Sequence, residues 1–339
     1  MASPLNEIPN YQIPGELADR EVDILAFGSA VLEQVVQVEN YPEAGQHSLN
    51  IREMVFTAGG CAVNVACYAG RIGASAGIIS VLGEGKYGSQ VRDELARSNV
   101  LNNTVIEIPG KDGILVIELT NQAGDWTTMT YSDGDMALQP EHVPAVLEFK
   151  RAKVLHIDGY AFLSSGSEAA VEKALRNGRK AGCVISFDAC VPAAKEKPEF
   201  LGWLASQADI VFANEFEAMA ATRTASVKDA IEKVRHGGPE LAVIKLGAGG
   251  SILVTPEQTG HIPAYQVDIV DTVAAGDAYI GTCLSCLCRG ESLHQAATRG
   301  SAAGALACLG HGSLSYRFDL EDIDRLVRTG VKIPTNITL

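Results

Sequence analysis

Several familiar features are missing from this sequence. No apolar run approaches the ~20 residues that a membrane-spanning helix needs. Met1 to Arg20 sets Pro4, Pro9 and Pro14 among polar residues and lacks the charged and apolar blocks of a secretory signal. Residues 1–20 therefore read as a mobile or loosely docked extension. Positive charge is scarce: 27 Lys and Arg stand against 41 Asp and Glu, a net charge of −14. That argues against nucleic acid and against a membrane surface as partners, whereas a nucleotide needs only local positive potential. Cys283, Cys286 and Cys288 have no second cysteine pair or histidine cluster to complete a metal site. The eight cysteines lie mostly inside apolar runs, as in Ala66-Cys67-Tyr68, and read as buried free thiols in a reducing, cytoplasmic setting. The full Gly-x-x-x-x-Gly-Lys-Ser/Thr order of a phosphate loop is also absent.

What is present is an alternation of strand and helix. Val22 to Phe27 and Ala76 to Leu82 are short apolar strands, and Val31 to Val38 is β-branched. Pro42 to Phe56 alternates polar and apolar residues, and Ile114 to Leu119 with Trp126 to Tyr131 predicts a hairpin. Ser89 to Asn99 predicts an amphipathic helix. Beyond Glu141 the pattern is regular. Strands end at Asp158, Asp188, Asn214 and Gly247, with helices such as Ser167 to Ala181 between them, and His294 to Leu309 predicts a late small-residue helix. This order implies a mostly parallel, doubly wound α/β sheet with helices on both faces. Functional groups then gather at the carboxyl ends of the strands.

One stretch organises the rest: Asp271-Thr272-Val273-Ala274-Ala275-Gly276-Asp277-Ala278. Gln266 to Val270 supplies a strand signal before it, and Gly276 to Arg289 reads as a helix stopped by Gly290. The small residues let the backbone turn tightly, and a helix starting there offers N–H groups and a positive dipole end to an anion. Asp277 in the first turn is placed to take a proton from a hydroxyl attacking phosphorus. The plainer reading is a capped, tightly packed helix. A second segment, Gly59-Gly60-Cys61-Ala62-Val63-Asn64-Val65-Ala66, lies roughly 210 residues earlier and turns into a buried helix with Ala62, Val65, Ala66 and Ala69 at helical spacing.

Together the two segments resemble the paired signatures of the PfkB (ribokinase-like) carbohydrate kinases, over about Val22 to Leu326. The resemblance implies a ribokinase-like core, residues 21–333, with a small β-sheet lid from about 33–57 and 110–133. It implies ATP-dependent phosphorylation of a small sugar hydroxyl, with Asp277 as general base and the amides of Ala274, Ala275 and Gly276 as anion hole. Gly59 and Gly60 would let the sugar approach the backbone and Asn64 would bind its hydroxyls, although Asn64 could instead cap the helix. Glu33 stands where the family has a sugar-binding Asp; the alternative is an edge-strand surface carboxylate. Asn214-Glu215-Phe216-Glu217 resembles the family's Asn-x-x-Glu motif. Asn214 would approach the phosphates and Glu217 would hold Mg²⁺ through water, and the same residues also make a capping box. Lys245, Gly247, Gly249 and Thr272 would contact the nucleotide, with Lys245 either touching phosphate or merely flanking its strand. Carbonyls near Asp271 and Val273 would share K⁺ or another monovalent cation. Trp126 and Tyr131 could face the sugar or simply pack on their strand. A homodimer through the lid is expected.

Three further departures stand out. Gly85 replaces a usual Asp, Lys245 a common Thr, and Asp188 lacks the Asn and Arg that commonly follow it. The rivals are a nucleoside kinase on the same fold and a catalytically weak sugar- or nucleotide-binding regulatory protein. Sustained ADP formation that depends on an added sugar separates the last of these from an enzyme.

Overall fold

The computed structural model describes residues 8–45, 50–121 and 126–333. In chain order the elements begin β1 (Val22–Phe27), β2 (Val31–Val38), β3 (Ile51–Gly59), α1 (Cys61–Arg71), β4 (Ala76–Gly83), α2 (Lys86–Arg97) and β5 (Val100–Ile108). They continue with β6 (Ile114–Thr120), β7 (Trp126–Ser132), α3 (Val146–Phe149), β8 (Ala152–Asp158), α4 (Ser167–Ala181) and β9 (Val184–Asp188). Next come α5 (Val191–Glu196), α6 (Pro198–Gln207), β10 (Ile210–Asn214), α7 (Glu215–Thr222), α8 (Val227–Arg235) and β11 (Leu241–Lys245). The chain closes with β12 (Ser251–Val254), β13 (Thr259–Ile262), α9 (Ala275–Cys288), α10 (Leu293–Ala307) and α11 (Leu320–Thr329).

Nine strands form one sheet in the order β13-β12-β11-β10-β9-β8-β1-β4-β5. All pairs are parallel except β11–β12 and β12–β13. Successive residues of β1 feed opposite layers. Ile24 and Ala26 join the helices α1, α9 and α10 on one face, while Leu25 and Phe27 join α4 to α8 on the other. That explains why the strands read as continuous apolar runs rather than as alternation. Between β1 and β8 the winding reverses, and the carboxyl ends of these two strands open the crevice in which such sheets bind ligands.

A separate sheet, ordered β3-β2-β6-β7, lies to one side. Its inner face carries Glu33, Val35, Thr57, Val116 and Glu118, as the register of β2 with β3 and β6 requires. Its outer face carries Phe56 opposite Gln34 and Met129 opposite Ile117. Met54, Phe56, Met129 and Tyr131 are all exposed there.

Several expectations are corrected. Gln266 to Val270 is not a strand; Gln266 donates to the Val331 carbonyl, and Val270 and Asp271 donate to the Cys308 carbonyl. Its last residue, Val270, thus bonds a helix end rather than a ladder. In the Pro42 to Phe56 segment the strand begins only at Ile51, and residues 46–49 lie outside the described residues. So do residues 122–125 of the hairpin turn and the side chain of Trp126. The leading segment is docked from Ile8 onward: Tyr11 and Leu17 are buried, and Ile8 and Ile13 pack on the core. All eight cysteines are free, and all but Cys61 are buried.

Candidate active site

Helix α1 begins after Gly60, whose φ of +92° lets the chain swing from β3 into the helix. A side chain at Gly60 would strike the Ser29 backbone, so the turn and the close approach both demand glycine. Helix α9 begins after Ala274, which holds the left-handed φ of +58° without being glycine. A residue in that region carries strain, and here Asp271 supports it. Its carboxylate accepts from the Val273 amide at 3.0 Å and from the Gly312 amide at 2.8 Å.

The two helices cross with Gly281 against α1, where an added Cβ would lie 2.6 Å from the Val65 carbonyl oxygen. This close crossing brings together two distant residues. Asn64 donates through Nδ2 to Oδ2 of Asp277 at 2.7 Å, and both are almost fully buried. Asn64 lies inside α1 rather than at its cap, so capping does not explain it. Burial, helped by the nearby charge of Asp188, pushes Asp277 up to about 7, while the Asn64 hydrogen bond pulls it back in part. The first turn of α9 leaves amides without carbonyl partners inside the helix. They meet a positive charge: a Cβ on Gly276 would be 3.2 Å from Lys245 Nζ.

Lys245 does more than flank its strand. Its Nζ donates to Asp188 Oδ1 at 2.7 Å. Burial alone would lower its pKa, but Asp188 and Glu217 more than offset that and hold it as an ammonium. Asp188, to which the sequence assigned no role, therefore positions the cation beside the turn. Gly247–Gly249 forms a short 3₁₀ turn next to it, and Thr272 is exposed at the rim.

Asn214 and Glu217 form the expected capping box. Asn214 N donates to Glu217 Oε2 at 2.7 Å, and Glu217 N donates to Asn214 Oδ1 at 2.9 Å. Burial pushes Glu217 up to about 7; Lys245 lowers it and Asp188 raises it. Among the described residues no group of three His, Cys, Asp or Glu side chains could hold a metal unaided.

Asp158 was legible only as a strand end. Its carboxylate accepts from the Ser29 amide and hydroxyl, each at 2.8 Å, from the Ala62 amide at 3.0 Å and from the Ala161 amide at 2.8 Å. It thus pins the end of β1, the start of α1 and the turn after β8 to one point. Tyr160 in that turn remains 43% exposed.

Glu33 is not a surface carboxylate. It sits over Gly59, where any Cβ would collide with it, and accepts from Ser313 Oγ at 2.5 Å. Burial pushes it up to about 7 against the pull of the Ser313 hydroxyl. Thr57 Oγ1 accepts from Leu314 N at 3.3 Å, and His311 Nε2 lies 3.2 Å from Glu53. Residues 311–314 therefore clamp the inner face of the smaller sheet, and Gly312 ties the same loop to Asp271. Glu118, which the sequence did not single out, is buried on that face and pushed up to about 7 by burial, with Asp271 and Glu33 adding to it. Its only sequence signal is an acid within the apolar run of β6. Tyr131 points away, edge-on to Tyr87 at 6.3 Å.

Comparison with known proteins agrees with this architecture. The model of the pfkB family carbohydrate kinases matches residues 22–316. The 5-dehydro-2-deoxygluconokinase of Halalkalibacterium halodurans is 27% identical over 321 residues, covering 91% of this chain and 95% of that protein. The aminoimidazole riboside kinase of Salmonella typhimurium is 26% identical over 270 residues, 76% of this chain and 83% of that protein. Among solved structures, an E. coli protein provisionally named Ribokinase II, crystallised with ATP and Mg²⁺, superposes with a TM-score of 0.80 at 22% identity, covering 91% of this chain and 99% of that one.

Proposed function

Since the chain belongs to the pfkB family of carbohydrate kinases, we propose that it transfers the γ-phosphoryl group of ATP to a hydroxyl of a small sugar. The observation that carries this is the buried Asn64–Asp277 pair at the mouth of the α9 turn, with Lys245 beside it. In this reading Asp277 takes the hydroxyl proton as that oxygen bonds to the γ-phosphorus and the bond to ADP breaks. The amides of Ala274, Ala275 and Gly276, with the Lys245 ammonium, stabilise the charge on the transferring group. Asn64 orients the Asp277 carboxylate. Glu33, Gly59 and Gly60 hold the sugar, and Asn214, Gly247, Gly249 and Thr272 the nucleotide.

Mg²⁺ would neutralise the phosphates when bound. The donor set suits an ion held mainly by phosphate and water, with Glu217 reaching it through water. Because the Asp271 carboxylate is already occupied by two amides, K⁺ would meet this region only through the carbonyls near Asp271 and Val273. The smaller sheet, residues about 33–57 and 110–133, acts as a lid that excludes water. Its exposed outer residues Met54, Phe56, Met129 and Tyr131 would be covered by a second lid in a homodimer. One observation favours a nucleoside as acceptor: the exposed Tyr160 ring stands in the turn that Asp158 pins beside α1. A screen of ADP release over sugars, sugar acids, sugar phosphates and nucleosides tests the proposal. Acceptor-dependent ADP formation is expected, and its absence across the panel would remove the kinase reading.

A further inference from the structure

The inner face of the smaller sheet carries two acids, Glu33 and Glu118, besides the Glu53 that His311 meets. Glu33 and Glu118 are two residues of the same face, since Glu33 pairs with Val116 and the next inward residue of β2, Val35, pairs with Glu118. Neither forms a salt bridge among the described residues. Glu118 is only 6% exposed, yet its Oε1 has no hydrogen-bonding partner. On α1, Asn64 Oδ1 is in the same condition, its amide nitrogen being spent on Asp277. Both orphan atoms are acceptors. A buried acceptor left without a donor is costly, so each calls for a donor that the ligand brings. The cation assigned to the site, Lys245, is bonded to Asp188 at the phosphoryl end of the pocket.

We infer that the acceptor is an uncharged polyol, whose hydroxyls donate to Glu118 and Asn64, and that sugar acids and sugar phosphates are excluded. This rests on the kinase reading above and names the chemical class of its acceptor. A carboxylate or phosphate placed here would face Glu33, Glu118 and Asp271, and Lys245, the cation beside the α9 turn among the described residues, is already bonded to Asp188. A hydroxyl group satisfies what the protein leaves open. Sites that hydrogen-bond a ligand group in this way discriminate strongly against molecules that lack it. Glu118 is thus a specificity residue on the sheet, while Asp277 performs the proton transfer.

The test is calorimetric titration of the full chain with ribose and fructose against gluconate and fructose 6-phosphate at matched ionic strength, alongside ADP release. At least one uncharged acceptor is expected to bind about tenfold or more tighter than any anionic one. Glu118→Leu, checked for folding by its thermal melt, should weaken that acceptor by about tenfold, Glu118→Gln should recover part of the loss, and the KM for ATP should stay unchanged. An anionic acceptor that binds as tightly as the best neutral one overturns the inference whether or not ADP forms. So does a folded Glu118→Leu chain with unaltered affinity, or a panel in which no uncharged acceptor binds. Acceptors that bind as expected but yield no ADP would instead remove the kinase reading and leave this one standing.

Discussion

In the proposed mechanism Asp277 answers two opposed demands. A base must be charged to accept a proton, yet burial beside Asp188 disfavours that charge and lifts the carboxyl to about 7. A base whose pKa lies near the working pH is also the effective one. We therefore expect kcat/KM to rise as pH increases through about 7, because the deprotonated form is the active one. Asp277→Asn retains the shape and the Asn64 contact but removes the proton acceptor. It should cost about 100-fold or more in kcat while nucleotide binding, followed by calorimetry, survives. A variant with near-normal kcat would take Asp277 out of the mechanism. Its neighbours show what sequence alone could not reveal. Asp188 and Asp158 were visible as strand ends, but their partners Lys245, Ser29, Ala62 and Ala161 lie from 3 to 129 residues away, and only the folded sheet brings them within 3.0 Å.

At the scale of elements the site depends on how closely α1 and α9 approach. Gly281 sets that approach against the Val65 carbonyl, and the Asn64–Asp277 bond lies about one helical turn from it. Gly281→Val would overpack the crossing and should destabilise the protein by about 1–3 kcal/mol. It should also lower kcat, since the bond at 2.7 Å cannot tolerate the helices moving apart. Denaturant melts and steady-state rates check both; unchanged values would mean that the crossing has slack. The helix from Ser167 to Ala181 and most parallel strands were readable, because buried strands are apolar runs and this helix has clear periodicity. β5 (Val100–Ile108) was not, because Leu101 to Asn103 of this edge strand are exposed and polar residues interrupt its pattern. The strand read at Gln266 to Val270 failed for the opposite reason: its strand-like last residue, Val270, bonds a helix end. Both signature segments, the α9 turn among them, were legible because they are local; the loop 311–314 that binds the smaller sheet was not.

For the molecule as a whole, Glu33, Glu118, Glu217 and Asp277 all have carboxyls lifted to about 7 by burial. Their ordinary values lie near 4. Between those limits the folded chain holds protons that the unfolded chain has released, so the proton count favours the folded state at the acid end. Stability should therefore fall as pH rises from about 4.5 to 7 and level off above, at up to about 1.4 kcal/mol per group per pH unit. Thermal melts should give a higher Tm at pH 6 than at pH 8, and Asp277→Asn should narrow that difference. A Tm that climbs toward pH 8 would show that these carboxyls are charged at little cost.

The contact between Asn64 and Asp277 also has a history during synthesis. It joins positions 213 residues apart, so at ~5–20 residues per second a ribosome completes Asp277 roughly 10–40 s after Asn64. For that interval α1 has been made but α9, which covers its Val65 and Tyr68 side, has not. The nascent chain must wait with an apolar helix flank uncovered, and parallel pairing across such distances is intrinsically slow. The site is thus among the last parts of the molecule that can form, and an interrupted chain would meet the aggregation hazard of the fold without holding its proposed base.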